Sequence, residues 1–344
     1  MIRILKKILL GLVALLVLVV VVGSAWEQLE RRAAARRFPP QGTLVDIGGR
    51  KIQLDCRGSG SPTVVLIHGL DTGGALSWSA VHDSIARTTR TCAYSRAGIM
   101  WSDPTPAFSP TGMAEDLHAA LQAAGEKAPF VLVGHSLGGP IELIYTRHYG
   151  DQVAGLVMVD ASHPEQFQRF KAIGISTENA AVKAIKIAAS LSWTGVIRAL
   201  AGKSKPMPNQ PVEAAQAQHD WTPRSISGAM KEMNGLDSIL AEASTARELG
   251  DRPLVVLTAM KPLSEGERKS LGVTEEQAVK QKQLWLEMHQ EETRWSTAGR
   301  QVVVPDASHY IQFDRPDIVI AAVADVVAAV RARAGAPSAD PPAP

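Results

Sequence analysis

The sequence predicts an α/β fold with a mostly parallel, eight-stranded sheet flanked by helices. Short apolar runs of four to seven residues recur along the chain, as expected of buried strands. Segments with helical spacing separate most of these runs, which is the alternation typical of parallel sheets. Gly48-Gly49 joins the first two runs as a hairpin. The predicted strands are 43–47, 51–56, 63–67, 91–95, 130–133, 153–159, 253–258 and 301–304.

The composition excludes several classes of protein. Hydrophobic residues at 45% and charged residues at 20% suit a packed globular chain. The net charge is +2, and the basic excess lies in the first 40 residues, so the remainder is mildly acidic and gives no case for nucleic-acid binding. Two cysteines are too few for a disulfide scaffold or a four-cysteine zinc site, and no histidine pair has metal-ligand spacing. We therefore expect no metal and no other cofactor.

The N-terminus has the features of a membrane segment. Basic residues within 3–7 precede the uncharged run 8–25, which as a helix would be about 27 Å long. The run is longer than the apolar part of most signal peptides, which favours an uncleaved anchor, although Gly23 and Ala25 would suit a cleaved leader. Either alternative places the rest of the chain outside the cytoplasm. The polar segment 27–40 ends in Pro-Pro and is interpreted as a short stalk.

The strand–helix alternation is interrupted once. The interruption consists of helices and loops with four prolines, and we interpret it as a helical insertion between two strands of the sheet. The predicted organisation is a signal or anchor with its stalk (1–40), a core in two parts (41–162 and 251–331), a helical lid (163–250) and a disordered tail (332–344).

The strongest catalytic motif is Gly134-His135-Ser136-Leu137-Gly138, a G-x-S-x-G pattern between a predicted strand and a predicted helix. A sharp strand-to-helix turn exposes the serine and requires small residues two positions before and after it. Gly134 and Gly138 meet that requirement. The alternative is an ordinary glycine-rich turn with a bystander serine. The context favours Ser136 as a nucleophile.

A serine nucleophile needs a base, and His309 is the best candidate. It follows the last predicted strand by a short loop, and the loops after parallel strands share one edge of a sheet. His163 is the rival base. His68 is better placed to shape the turn after the strand 63–67, which is expected to stabilise the negatively charged oxygen (oxyanion) of the reaction intermediate. His135 should point away from the site.

The base needs a carboxylate that orients it. Asp160 ends the strand that follows the serine motif, whereas Glu265 is the first acid after the next strand. We therefore predict Asp160, with an acid after the seventh strand as the alternative. An oxyanion needs two backbone N–H donors, which should come from Leu137, next to the nucleophile, and from Leu70, after His68-Gly69.

Together these residues resemble the α/β-hydrolase fold superfamily, in its serine hydrolase subgroup with a helical lid. The match covers 43–160 and 251–331, and the order Ser136, Asp160, His309 is that of the family's nucleophile, acid and histidine. Many members carry the acid after the seventh strand, and a minority carry it after the sixth, as Asp160 would be.

The resemblance implies a serine hydrolase that cleaves an ester-type bond in a small-molecule acyl substrate through an acyl-enzyme. A thioesterase, amidase or acyltransferase on the same triad, or a noncatalytic binding protein, are the alternatives. Trp193, Trp221 and Met230 could form an apolar wall of the lid, although such residues are more often core.

The resemblance also implies a disulfide. In the α/β-hydrolase pattern the second and fourth strands are antiparallel neighbours, which would bring Cys56 beside Cys92. A compartment outside the cytoplasm would let such a bond persist.

Overall fold

The computed structural model describes residues 1–175 and 180–335, and its centre is one sheet. The strands are β1 (Thr43–Asp46), β2 (Lys51–Arg57), β3 (Thr63–Ile67), β4 (Thr91–Ser95), β5 (Phe130–His135), β6 (Val153–Val159), β7 (Leu254–Ala259) and β8 (Gly299–Val304). Their order is β1-β2-β4-β3-β5-β6-β7-β8. β2 pairs antiparallel with β1 and β4, and all other pairs are parallel. The predicted fold class is confirmed.

Helices cover both faces of the sheet. They are α1 (Ile2–Arg37), α2 (His82–Ala86), α3 (Pro110–Ala123), α4 (Gly138–Tyr149), α5 (Gln166–Ala172), α6 (Ala180–Ser190), α7 (Val196–Leu200), α8 (Val212–Asn234), α9 (Leu236–Ala243), α10 (Glu265–Leu271), α11 (Glu275–Thr293), α12 (Ile311–Asp314) and α13 (Pro316–Gly335). Short 3-10 turns lie at Gly74–Trp78, Gly150–Gln152 and Ser192–Thr194.

The core has two parts because successive strand residues point to opposite faces of the sheet. On β5, Leu132 belongs to the apolar cluster that includes α3 and α4. Its neighbours Val131 and Val133 belong to the cluster that includes α13. The central strands are therefore buried on both sides, which explains why they are continuous apolar runs in the sequence.

The N-terminal segment differs from the sequence prediction beyond residue 26. The helix does not stop at a stalk but continues to Arg37, because residues 27–37 are mostly Ala, Arg, Glu and Leu, which are strong helix formers. This half of α1 contacts α8, and its Glu27 and Ala34 are buried. Within the described residues, α1 is the one helix that is long and apolar enough to cross a membrane.

Smaller differences concern the other elements. A 3-10 turn at Gly74–Trp78 is followed by the short α2, and the sequence analysis did not predict α10. Helices α5–α9 lie between β6 and β7, where the sequence predicts the lid, and the limits of that domain stay a prediction. The predicted tail 332–344 begins inside α13, and residues 336–344 lie outside the described part of the chain.

A disulfide joins β2 to β4. Cys56 and Cys92 are directly opposite each other in the antiparallel register, with their Cα atoms 4.0 Å apart, and their sulfurs are bonded. The bond lies where the resemblance to the family implied it.

Candidate active site

Ser136 lies on a sharp turn between β5 and α4, in a left-handed backbone conformation with φ of +52°. This conformation is unusual for a residue with a side chain. A methyl group on Gly134 would contact the backbone of Gly138, and one on Gly138 would collide with the carbonyl oxygen of Ile67. Both glycines are therefore required by the close approach of the chain, for the reason that the sequence motif suggested.

His309 and Asp160 are joined by a hydrogen bond of 2.7 Å between Nδ1 and Oδ2. They follow β8 and β6, whose carboxyl ends lie at the same edge of the sheet. Burial opposes ionisation of Asp160, but the hydrogen bond and the charge of His309 outweigh burial and lower the Asp160 pKa to about 2. An ionised carboxylate accepts the hydrogen bond, so Nδ1 carries a proton, and Nε2 can accept one whenever the ring is in its neutral form.

The second carboxylate oxygen of Asp160 has two donors. Oδ1 accepts hydrogen bonds of 2.8 Å from the backbone N–H of Ala259 and from the indole Nε1–H of Trp285. Trp285 lies on α11, far from Asp160 in sequence, and the sequence analysis did not identify it. No pattern in the sequence marks it, because the contact depends on how α11 packs against β7.

Glu265, the alternative acid, lies away from this pair. It is an exposed residue at the start of α10, and its carboxylate pairs with Lys269 at 2.7 Å. The carboxylate that contacts His309 is that of Asp160.

The other candidate histidines have hydrogen-bond partners other than Asp160. His163, the rival base, is fully buried, and its Nδ1 accepts a hydrogen bond from the Glu165 backbone amide. His135 does not point away from the site as expected, because its Nε2 donates to the carbonyl oxygen of His309 at 2.9 Å. His68 donates from Nδ1 to the carbonyl oxygen of Gly69 at 2.8 Å, within its own turn.

The two predicted oxyanion donors lie on either side of the nucleophile. A Cβ on Gly69 would be 3.0 Å from the Ser136 Cβ, so the turn after β3 passes directly beside the serine. Within residues 1–175 and 180–335, the N–H groups of Leu70 and Leu137 have no hydrogen-bond partner. The Ser136 hydroxyl likewise has none in that part of the chain.

The turn that carries Leu70 is held by a buried arginine. Arg96 donates to the carbonyl oxygens of His68 and Gly69 at 2.5 and 2.7 Å. The same guanidinium forms a two-pronged ion pair with Glu232 of α8, with both N–O distances at 2.7 Å. Helix α8 of the predicted lid is thereby linked to the turn beside Ser136.

The predicted catalytic residues line one open cavity of about 490 Å³. Such a volume is within the range of small-molecule sites. Its apolar wall comes from α5 and from the segment after β7, and not from the three lid residues that the sequence suggested. Trp221 packs against Trp101 in a separate cluster, Trp193 is exposed, and Met230 does not line the cavity. Prominent in the lining are Ser136, His309, Phe170, Leu263, Leu271 and Trp285.

One group of side chains has three potential metal-ligand atoms close together within the described residues. It consists of Cys56, Cys92 and Glu126. The two sulfurs form the disulfide and so cannot provide thiolates.

Comparison with known proteins points to one family. The model of the Alpha/beta hydrolase family matches residues 64–322. The uncharacterized protein YbdG of Bacillus subtilis is 24% identical over 175 residues, which are 50% of this chain and 54% of that protein. A probable transporter of Hormonema carpetanum, efuK, is 32% identical over 138 residues, 37% of this chain and 19% of that protein. The chain thus spans only part of these relatives.

Solved structures with the same fold cover most of the chain. A candidate lipase of Acinetobacter baumannii AYE has a TM-score of 0.62 and 20% identity, covering 90% of this chain and 97% of that chain. An esterase of Exiguobacterium antarcticum has a TM-score of 0.56 and 17% identity, covering 85% of this chain and 99% of that chain. At such identities the likeness concerns the fold.

Proposed function

Because the chain belongs to the alpha/beta hydrolase family, we propose that it is a serine hydrolase that cleaves an ester-type bond in a small acyl substrate. The observation that carries the proposal is the 2.7 Å His309–Asp160 hydrogen bond at the edge of the cavity that Ser136 also lines. A nucleophile, a base and an orienting carboxylate are what acyl transfer through serine requires.

In the proposed first step, the Ser136 Oγ attacks the ester carbonyl carbon while Nε2 of His309 takes the hydroxyl proton. Asp160 keeps the proton on Nδ1 and stabilises the imidazolium that forms. The negative charge that develops on the carbonyl oxygen is stabilised by the N–H groups of Leu70 and Leu137, which have no other partner within the described residues.

The tetrahedral intermediate then collapses. His309 gives its proton to the leaving alcohol, and the acyl group stays on Ser136 as an ester. Water next attacks this ester with His309 again as the base, which releases the acid and restores the serine. Phe170, Leu263 and Trp285 offer an apolar wall, which favours an apolar acyl or alcohol group.

We place this domain outside the cytoplasm, held to a membrane by the run 8–25 of α1. The hydropathy of α1 and the basic residues before the run support this orientation. A cleaved leader is the alternative. Mass spectrometry of the purified protein separates the two, since an anchor retains the N-terminal residues and cleavage would leave a mature chain that starts near Trp26.

A fluorophosphonate probe tests the activity directly. We expect it to label the wild-type protein and the Ser162→Ala variant, which lacks another hydroxyl of the same cavity, but not Ser136→Ala. Ser136→Ala should also lower turnover of a p-nitrophenyl ester by about three to six orders of magnitude. An unlabelled wild-type protein would favour a noncatalytic binding protein. Rates on matched esters, thioesters, amides and acyl acceptors separate the remaining enzymatic alternatives.

A further inference from the structure

The segment from α6 to α7 is fastened to the end of the apolar run of α1. A methyl group on Gly23 would collide with the Thr194 carbonyl oxygen, so the helix and the 3-10 turn Ser192–Thr194 touch backbone to backbone. A Cβ on Gly195 would be 3.0 Å from the Trp26 ring. The turn therefore lies beside residues 23–26.

A buried ion pair reinforces this contact. Glu27 is fully buried, and its carboxylate binds Arg198 of α7 at 2.8 Å and Arg31 of α1 at 2.7 Å. A buried carboxylate with two arginine partners holds α7 in one position relative to α1, because separation would leave charges unpaired.

The position of this contact along α1 sets its height relative to a membrane. The run 8–25 has 18 residues and is about 27 Å long as a helix, close to the roughly 30 Å of a bilayer core. When the run spans the bilayer, Gly23 and Trp26 lie at the boundary between hydrocarbon and water. The turn Ser192–Thr194 must then lie at the same height.

Large apolar side chains are exposed just before that turn and on it. Ile187, Leu191 and Trp193 are 64%, 43% and 51% exposed. Ile187 and Leu191 are four residues apart, so they extend along one face of α6 and its end. Trp193 is on the turn itself, and tryptophan is enriched at membrane–water boundaries.

The charge of the segment complements an anionic surface. Residues 180–205 contain five basic residues and no acidic one. Arg198 is paired with Glu27, and the other four basic residues are Lys183, Lys186, Lys203 and Lys205. Segments that lie in a lipid interface typically combine lysines with exposed Ile, Leu and Trp, as this segment does.

We propose that the segment 183–205 rests on the surface of the membrane that α1 spans, with Ile187, Leu191 and Trp193 in the interface and its lysines on anionic phospholipid headgroups. The contact is additional to the membrane-spanning helix. It rests on the proposed anchor and is independent of the ester-cleaving activity.

The disulfide makes a site-specific test practical. Cys56 and Cys92 are bonded, so one introduced cysteine can carry a fluorophore. The full chain, one copy per nanodisc of phosphatidylcholine and phosphatidylglycerol, is labelled at Leu15→Cys, Ile187→Cys, Leu191→Cys or Val279→Cys. Val279 is a matched control, because it is 66% exposed but lies on α11. Quenching by lipids spin-labelled near the headgroup or deep in the acyl chain then reports the depth of each label.

We expect deep quenching at Leu15, and headgroup-level quenching at Ile187 and Leu191 at least threefold stronger than at Val279. The excess of quenching at positions 187 and 191 over position 279 should fall at least twofold when phosphatidylcholine replaces phosphatidylglycerol. The double substitution Lys183→Glu with Lys186→Glu should have the same effect. Equal quenching of the labels at positions 187, 191 and 279, together with deep quenching of the Leu15 label, would overturn this proposal and leave the anchor intact. Protection of the position-187 label only in discs that hold two copies of the chain would also overturn it and would assign the surface to self-association. A water-exposed Leu15 label would overturn the anchor and this proposal together. Ester turnover in the same discs reports the activity separately.

Discussion

The indole N–H of Trp285 donates a 2.8 Å hydrogen bond to Oδ1 of Asp160, on the carboxylate oxygen that His309 does not contact. Together with the Ala259 backbone amide, it holds the carboxylate plane in one orientation. Trp285 also contributes to the wall of the cavity. It is therefore a positioning residue for the proposed base as well as part of the wall that would contact the proposed substrate.

Trp285→Phe should keep an aromatic ring at this position but remove the indole N–H that donates to Asp160. Because a hydrogen bond to a charged group is worth about 1.5–3 kcal/mol, we expect kcat to fall by roughly 10- to 100-fold. The KM for a short ester should change less, since most of the apolar surface remains. Trp295→Phe is the control for the same substitution outside the cavity. Equal kcat values for the two variants would contradict the positioning role.

Asp160→Asn should lower kcat by about three to four orders of magnitude, because an amide favours the wrong tautomer of His309. Glu265→Gln should have little effect, since Glu265 is exposed and pairs with Lys269. Steady-state kinetics on one ester decide between them. A larger loss in Glu265→Gln would move the catalytic acid to the segment after β7.

The Arg96–Glu232 ion pair is buried, with both side chains at most 4% exposed. Glu232→Gln leaves the guanidinium charge without its partner, so the free energy of unfolding should fall by about 3–5 kcal/mol. A double variant, Arg96→Met with Glu232→Met, should recover part of this stability, because no unpaired charge is then buried. It should still have a kcat about tenfold below wild type, because the His68 and Gly69 carbonyls lose their donors. Denaturant melts measure the free energy of unfolding of each variant, and steady-state ester kinetics measure its kcat. A wild-type kcat in the double variant would show that the ion pair has only a structural role.

The disulfide closes a loop with a sequence separation of 36. On the chain-entropy model, Cys56→Ala with Cys92→Ala should lower the free energy of unfolding by about 2–4 kcal/mol. The bond is remote from the cavity, so kcat at a permissive temperature should be unchanged. Urea melts and ester kinetics on the same samples measure both. Equal midpoints for variant and wild type would contradict this estimate.

His163 should make the fold sensitive to acid. Burial, with Arg169 nearby, lowers its pKa from 6.5 to about 4 despite the opposing charge of Glu291. The unfolded chain therefore binds this proton at higher pH than the folded one, and stability falls as the pH drops from 6.5 towards 4. At pH 5 the loss should be roughly 2 kcal/mol. His163→Gln should have a shallower dependence on pH in urea melts, and parallel curves would exclude this role.

How much of the site could be predicted from the sequence depends on how local each feature is. The glycine spacing around Ser136 is a local requirement of the sharp turn, and the positions of Asp160 and His309 at strand ends follow from the strand–helix alternation. Trp285 and the Arg96–Glu232 pair join elements far apart in the chain, so no local pattern indicates them. The cavity wall was mispredicted for the same reason, because it depends on how α5, α10 and α11 pack.

The sequence by itself determined the fold class, because apolar runs buried on both faces and amphipathic helices between them are compatible with few architectures. It also determined the apolar character of the N-terminal run, which is a matter of composition. Only the tertiary structure decided that the second half of α1 packs on α8, that the Glu27 carboxylate meets Arg198, and that Trp193 stays exposed beside α1. These relationships arise from packing between distant segments, whose free energy depends on three-dimensional contacts and leaves no periodic signal in the sequence.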